Sequence, residues 1–241
     1  MRAILVRVGV DQAFGGWNAP VDPDTCEFLY VPIPEGSRST FHPKLETGFA
    51  DFAESGRQFA QRHQCAVAFP AALEAGRSHL DPDFSHLTYG DNAEARGARI
   101  AAMNPGDHLI FYSGLRPIRA CAHKLIYAII GSYAVDEVVR VEDVPPDRWH
   151  ENAHSRKSSR GNDVIVRARP GRSGRLARCL PIGEYRDRAY RVRKELLDEW
   201  GGLSAKDGFI QRSAVPPFFN EPDRFLNWYE RQEPRWIRQN N

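Results

Sequence analysis

No stretch of this chain is apolar for long enough to cross a bilayer: the most hydrophobic segment, Leu125 to Ile130, falls far short of the roughly 20 residues that a helical span needs. Cysteine is scarce. Cys26, Cys65, Cys121 and Cys179 form no C-x-x-C pair, which excludes a zinc ribbon, argues against a disulfide framework and predicts four buried thiols. Cys121 and His123 stand two apart, but no second ligand pair at a familiar spacing joins them, so no metal site is expected. The start, MRAILVRVGVDQ, lacks the long apolar segment and small-residue cleavage site of a signal peptide. It reads as a first strand, and the chain as cytoplasmic with no membrane partner. Familiar chemical signatures are missing too. There is no Gly-x4-Gly-Lys-Ser/Thr loop, dinucleotide fingerprint, G-x-S-x-G, H-E-x-x-H or paired-cysteine deaminase motif, so these chemistries lack support and the cofactor is left unknown.

What the chain does have is an uneven distribution of charge. Between Arg156 and Lys194 stand 13 Arg and Lys against three acids, +10 within a chain whose net charge is +2. The flanks are acidic, −6 over residues 1 to 155 and −2 over residues 195 to 241. Eleven of the 13 basic residues are Arg, whose planar fork binds phosphate bidentately and stacks on bases, which favours a polyanion such as nucleic acid as partner. Two ordinary readings compete with that one. Arg outnumbers Lys 28 to 5 over the whole chain, a general bias, and a charge run is often only a solvated face. A basic strip can also pair with the acidic flanks of its own fold.

With 241 residues and 41% apolar composition, the chain can bury a full core. Strands are expected over residues 3 to 10, 27 to 33, 108 to 113, 125 to 142 (bending at Gly131), 163 to 168 and 176 to 183. Helices are expected over 49 to 64, 92 to 103, from Pro145 toward His154, over 189 to 200, with the charged run Arg186 to Lys194 helical, and over 221 to 232. Residues 70 to 91 read as a long ordered loop, of a length that is often functional.

Four polar loops carry candidate chemistry. In Gly15-Gly16-Trp17-Asn18, Trp17 offers a stacking face and Asn18 an amide for a base edge, although a plain turn with a core Trp accounts for the pattern equally well. His86-Leu87-Thr88-Tyr89-Gly90-Asp91, preceded by His79, Asp81 and Asp83, puts imidazole, phenol and carboxylate together for acid–base work, or simply for local capping. In Asn152-Ala153-His154-Ser155-Arg156-Lys157, His154 enters the basic window beside a hydroxyl and two cations; a polar helix end is the alternative. The fourth is Arg167-Ala168-Arg169-Pro170-Gly171-Arg172-Ser173-Gly174-Arg175. Strand alternation projects Arg167 and Arg169 from one face, and the glycines admit an oxyanion to the backbone, making this turn the best phosphate contact.

These loops, in this order, resemble the nucleotide-modification-associated domains found near phage and bacterial DNA base-modification genes, the third type most of all. The stretches that carry the likeness are VRVGVDQAFGGWNAPVD, HLTYGD, NPGDHLIFYSGLRP, NAHSRK, ARPGRSGRL, IGEYRDRAYRV and DGFIQRSAVPP. A smaller likeness, in Gly106 to Tyr112 and Ile129 to Val135, is to PUA-like barrels of the EVE and ASCH groups. Together they imply a single domain over residues 1–241, an α+β fold with a bent or barrel-like mixed sheet and flanking helices. A PUA-like barrel core is expected around 104–185, with a helical part over 186–241. The implied function is binding a nucleotide or modified base in DNA base modification, with nucleic acid (DNA before RNA) or a free nucleotide as partner. Arg156, Arg167, Arg169, Arg172, Ser173, Arg175 and Arg212 would grip phosphate, and Trp17, Asn18 and Tyr89 would contact the base or nucleoside. The alternatives are an enzyme using His154, Tyr89 and Asp91 on a nucleotide, base or glycosidic bond, and a non-catalytic interaction module.

Overall fold

Strands that are apolar at every position, rather than at every second one, must be covered on both faces. The computed structural model, which describes residues 1–94, 97–159, 161–211 and 215–241, meets that demand with a mixed sheet between two packed layers. In chain order the elements are β1 (Ala3–Arg7), β2 (Pro20–Val21), β3 (Ile33–Pro34), α1 (Ala50–Arg62), α2 (Ala71–Glu74), β4 (Ser78–His79), β5 (Thr88–Asn92), α3 (Ala98–Ala101), β6 (His108–Pro117) and β7 (Ile126–Arg140). There follow a 3-10 turn at Pro146–Glu151, α4 (Ala153–Arg156), β8 (Asp163–Ala168), β9 (Gly174–Pro181), β10 (Gly183–Arg186), β11 (Ala189–Val192), α5 (Lys194–Trp200), α6 (Pro222–Arg231) and β12 (Trp236–Ile237).

The main path of the sheet is β1-β6-β7-β8-β5, with β2 on β6, β9 on β7 and β12 on β9. Only β1 and β2 run parallel to β6; the remaining pairings are antiparallel. Ile4, Val6, Leu109 and Phe111 turn to one face, with Phe52 of α1. Ala3, Leu5, Ile110 and Tyr112 turn to the other, onto Leu196, Trp200, Phe225 and Trp228 of α5 and α6. β7 is long enough to serve two neighbours on its edge opposite β6: its first half pairs there with β9 and its second with β8, with a register shift beside Gly131. A Cβ on Gly131 would lie 2.6 Å from the Phe84 ring, so the bend is fixed by packing as well as by pairing.

Several expectations need correction. The ends of the path do not pair, so the sheet is mixed but not closed into a barrel, and likeness to PUA-like barrels is not shown. The part after residue 186 is not wholly helical, because it begins in the β10–β11 hairpin. There Asp187 and Arg188 take φ of 51° and 62°, the turn geometry that hairpins favour. Tyr190 and Val192 then alternate into the core, Tyr190 stacking on Tyr127 with ring centroids 4.4 Å apart, so burial at period two overrides the helical pattern. The helix expected from Pro145 is a 3-10 turn followed by the single turn of α4. Among the described residues no helix is long and apolar enough to cross a membrane.

Nor are all four thiols buried: Cys121 is exposed, and Cys26 and Cys65 are partly so. A hydrogen bond with Cys179 holds the Cys26 thiol down to about 7, burial opposing it and Arg178 assisting. The same hydrogen bond, with burial, drives Cys179 well above the ordinary range. Thiolate is the reactive form, so alkylation of Cys26 by iodoacetamide is expected to rise through a midpoint near pH 7, and in Cys179→Ala to shift toward pH 9. Peptide mapping across pH 6 to 9 reads this out. A Cys26 midpoint no different from that of Cys121 would refute it.

Candidate functional site

The segment from 79 to 91, expected as a long loop, is held from several sides. β4 pairs His79 with Ile33 of β3. The Tyr30 hydroxyl donates to the Pro82 carbonyl at 3.0 Å, and that of Tyr133 to the Asp83 carbonyl at 2.9 Å. Asn240 accepts from the Phe84 N–H at 2.8 Å and donates to Asp83 at 3.2 Å. The Asp83 carboxylate is buried and also receives Arg156 at 2.8 Å and His86 at 2.9 Å. Burial opposes its charge, but these partners hold it below the usual carboxylate range.

Within this frame Asp81 is the hub. The Gly90 N–H reaches both of its oxygens, at 2.9 and 3.0 Å, and the Asn152 amide donates to Oδ1 at 3.0 Å. Asn152 also caps α4, accepting from the His154 N–H at 2.9 Å, so the contact that orients Asp81 starts the turn that presents His154. Gly90 is required here for want of space: a Cβ would lie 2.4 Å from His154 Cδ2 and 2.7 Å from Asn152 Oδ1.

Both imidazoles are oriented by carboxylates. Nδ1 of His79 lies 2.7 Å from Glu35, and Nδ1 of His154 lies 2.6 Å from Asp163. Burial works against a charge on Glu35, yet the hydrogen bonds from His79 and Ser39 and the nearby Lys157 hold it well below the usual range. Burial also pushes His79 down to about 4 despite Glu35. An ionised Glu35 beside a neutral His79 requires the proton on Nδ1, which leaves a lone pair on Nε2. Asp163 likewise takes up Nδ1 of His154 and leaves its Nε2 toward Asp81, 3.7 Å from Oδ2. Burial pushes Asp81 up to about 7, against the pull of His154, Gly90 and Asn152 toward the ionised form. One nitrogen or oxygen from each of His79, Asp81 and His154 lies within 4.8 Å of the others, a set of donors that can hold a metal ion.

These three groups open onto a pocket of about 320 Å³ at the carboxyl end of β1, which Tyr89, Asp91, Arg7, Phe14 and Lys157 also line. His154, Tyr89 and Asp91, named from sequence as acid–base candidates, thus share one pocket, and the Tyr89 hydroxyl donates to Asp91 at 3.4 Å. Phe14 sits at the rim, 45% exposed, with the Arg7 guanidinium 5.4 Å from its ring centre. The loop that carries it closes on itself, with Asp11 and Phe14 exchanging backbone hydrogen bonds. A larger cavity of about 700 Å³ near Met103 and Val164 has no histidine among its described lining residues.

The residues assigned to phosphate and base sit elsewhere. Arg167 binds Glu151 at 2.6 Å and Glu137 at 2.8 Å, Arg169 binds Asp136 at 3.1 Å, and Arg156 is spent on Asp83 and the His150 carbonyl. All four of these acids come from the acidic flank, so the charge asymmetry of the sequence is neutralised in large part within the fold. Ser173 is buried and accepts from the Ala134 N–H, while Arg172 lies exposed on the turn. Arg175 lines a separate pocket of about 460 Å³ beside Arg62 and Phe28, and burial and then Arg62 bring its guanidinium down to about 10. Trp17 packs on Phe69, and both ends of the Asn18 amide are used, by the Gly114 carbonyl at 2.7 Å and by Gln12 at 3.1 Å. Arg212 lies outside the described residues. Of the two cations expected beside His154, Arg156 turns away to Asp83, whereas Lys157 lines the same pocket and pairs with Glu35, and carboxylates face the ring. Sequence reasoning missed Phe14, Arg7, Glu35, Asn152 and Asp163. It passed over the convergence of His79 and Asp81 with His154 because the signal, His-x-Asp in a polar loop, is short and common.

No curated protein and no solved structure matches the chain. The family model for nucleotide modification associated domain 3 covers residues 2–241, a name that suggests a role in nucleotide or DNA modification. With its whole length matched in this way, the chain belongs to the nucleotide modification associated domain 3 family.

Proposed function

We propose that the pocket beside β1 is the reaction site of an enzyme of nucleotide or DNA modification, which takes one nucleotide or base at a time. The observation that carries this reading is the meeting of His79, Asp81, Tyr89, Asp91 and His154 in a single pocket. Its volume of about 320 Å³ lies at the small end of the range of ligand pockets, roughly 300 to 1,000 Å³. That suits a single nucleotide-sized group, which from a duplex would have to be flipped out of the stack. His154 Nε2 and Asp81 are the groups placed to accept or deliver a proton, Tyr89 and Asp91 to bind the sugar or base edge, and Phe14 to stack on a base. Lys157 and Arg7 give the lining its cationic side.

A grip on phosphate by the Arg-rich turn is the weaker reading, because Arg167 and Arg169 already face carboxylates. If the turn did grip DNA or RNA, affinity would fall steeply with salt, and the Arg167→Ala, Arg169→Ala double variant would lose it. Mass spectrometry of nucleosides from cells expressing the wild-type chain, Asp81→Asn or His154→Ala tests the main reading. One nucleoside is expected to change in abundance with the wild type and not with either variant. Identical nucleoside profiles in all three, and in cells without the gene, would sink it.

A further inference from the structure

We infer that His79, Asp81 and His154 bind one divalent ion of a first-row transition metal, through the two imidazole Nε2 atoms and Asp81 Oδ2. The inference rests on reading the pocket as a reaction site, and it names the class of cofactor that works there; with the ion bound, His154 Nε2 and Asp81 are ligands and the exchange of protons passes to Tyr89 and Asp91. Three observations lead to it. Glu35 and Asp163 occupy the Nδ1 atoms, so each ring is left its Nε2 to offer as a ligand, and that of His154 stands 3.7 Å from Asp81 Oδ2. A bound cation is a partner that the three groups can share, and in a tetrahedral set metal–ligand bonds of about 2.0 to 2.2 Å place the donors about 3.3 to 3.6 Å apart. His154 Nε2 and Asp81 Oδ2 already stand near that spacing, and the remaining separations, within 4.8 Å, need the side chains to close by about 1 to 1.5 Å.

The second observation is the support behind the donors. Ligating histidines commonly give their other N–H to a carboxylate, which fixes the ring and raises its basicity. Both histidines here have that partner, and Asp81 is held by the Gly90 N–H and the Asn152 amide. The third is the donor set itself. Two imidazoles and a carboxylate without thiolate suit Fe(II), Zn(II), Co(II), Ni(II) or Mn(II) better than Mg(II), Ca(II) or Cu(I). Three protein ligands opening on a pocket of about 320 Å³ leave coordination positions for water or substrate, as a catalytic metal needs and a structural one does not.

The test uses the full chain without an affinity tag, stripped with chelator and titrated with Zn(II) and with Co(II), whose visible absorption reports its ligands. One equivalent per chain is expected, with a rise in thermal midpoint on loading. His79→Ala, Asp81→Asn and His154→Ala should bind at least 100-fold more weakly. Glu35→Gln should keep the stoichiometry with affinity lower by about 10- to 100-fold. Arg169→Ala should bind as the wild type does. If an alanine variant fails to fold by circular dichroism, the nearly isosteric Asp81→Asn decides. Absence of stoichiometric binding to the folded wild type, or binding that survives Asp81→Asn unweakened, overturns the inference. Titration involves no nucleotide, so the two readings fail separately. Metal binding with unchanged cellular nucleosides removes the proposed function alone, and a nucleoside change without metal binding removes the metal alone.

Discussion

Arg156→Met is expected to cost about 3 to 5 kcal/mol of folding stability, the range for breaking a buried ion pair by removing one partner. Both members are buried, with Arg156 at 5% and Asp83 at 1% exposure, and the guanidinium also donates twice to the His150 carbonyl. Methionine fills much of the same volume but leaves Asp83 with its hydrogen bonds and no full counter-charge other than what His86 can supply. The damage should spread, because Asp83 anchors residues 83 to 88 and Arg156 ends the turn that carries His154. Urea denaturation at pH 7 of the wild type, Arg156→Met, Asp83→Asn and the double variant measures the coupling. The double variant should be more stable than the summed single losses allow. A loss below about 1 kcal/mol in Arg156→Met would show that the pair is not the clamp described above.

Gly90→Ala is expected to damage stability and site together. The added carbon meets His154 Cδ2 at 2.4 Å, and Asn152 Oδ1 at 2.7 Å, contacts that no side-chain rotation of alanine relieves. Overpacking of this kind costs about 1 to 3 kcal/mol. Relief requires β5 to lift from α4, which lengthens the hydrogen bonds from Gly90 to Asp81, or His154 to swing away from Asp163. Either movement breaks up the meeting of Asp81 with His154, so any nucleoside change due to the wild type should vanish with this variant. Combining Gly90→Ala with His154→Ala isolates the cause, since removing the ring should return about 0.5 kcal/mol or more of the loss if the clash is the reason. Strict additivity in thermal or urea unfolding would locate the damage elsewhere.

The strands of the core were legible because their apolar runs survive any context: β1, β7 and β8 fall within the segments expected of them, and β6 begins at His108 as expected but runs on past residue 113 to Pro117. The β10–β11 hairpin was not, because Tyr190, Leu196, Leu197 and Trp200 suit a helix as a set. Only the partners Tyr127 and Gln211 show that Tyr190 belongs to a strand. At the site, Tyr89, Asp91 and His154 were legible as chemical types. Their convergence with Asp81 was not, since it depends on the bond between Asp81 and Asn152, 71 residues apart. The basic window misled for a related reason. A run of like charge is conspicuous along the sequence, whereas Glu137, Asp136 and Glu151, which answer it, become visible only when β7 and the 3-10 turn are folded against β8.

The self-closed turn from Asp11 to Phe14 has a consequence for the proposed stacking of a base on Phe14. Its Asp11 side chain already receives the Ala13 and Phe14 N–H groups at 2.7 and 2.9 Å, and Gly15, at φ 97°, folds back where a Cβ would meet Val10. A flat ring arriving at Phe14 therefore finds its landing surface already set, and little ordering entropy is lost on contact. Encounter at this rim should follow diffusion and orientation rather than wait for a loop to settle.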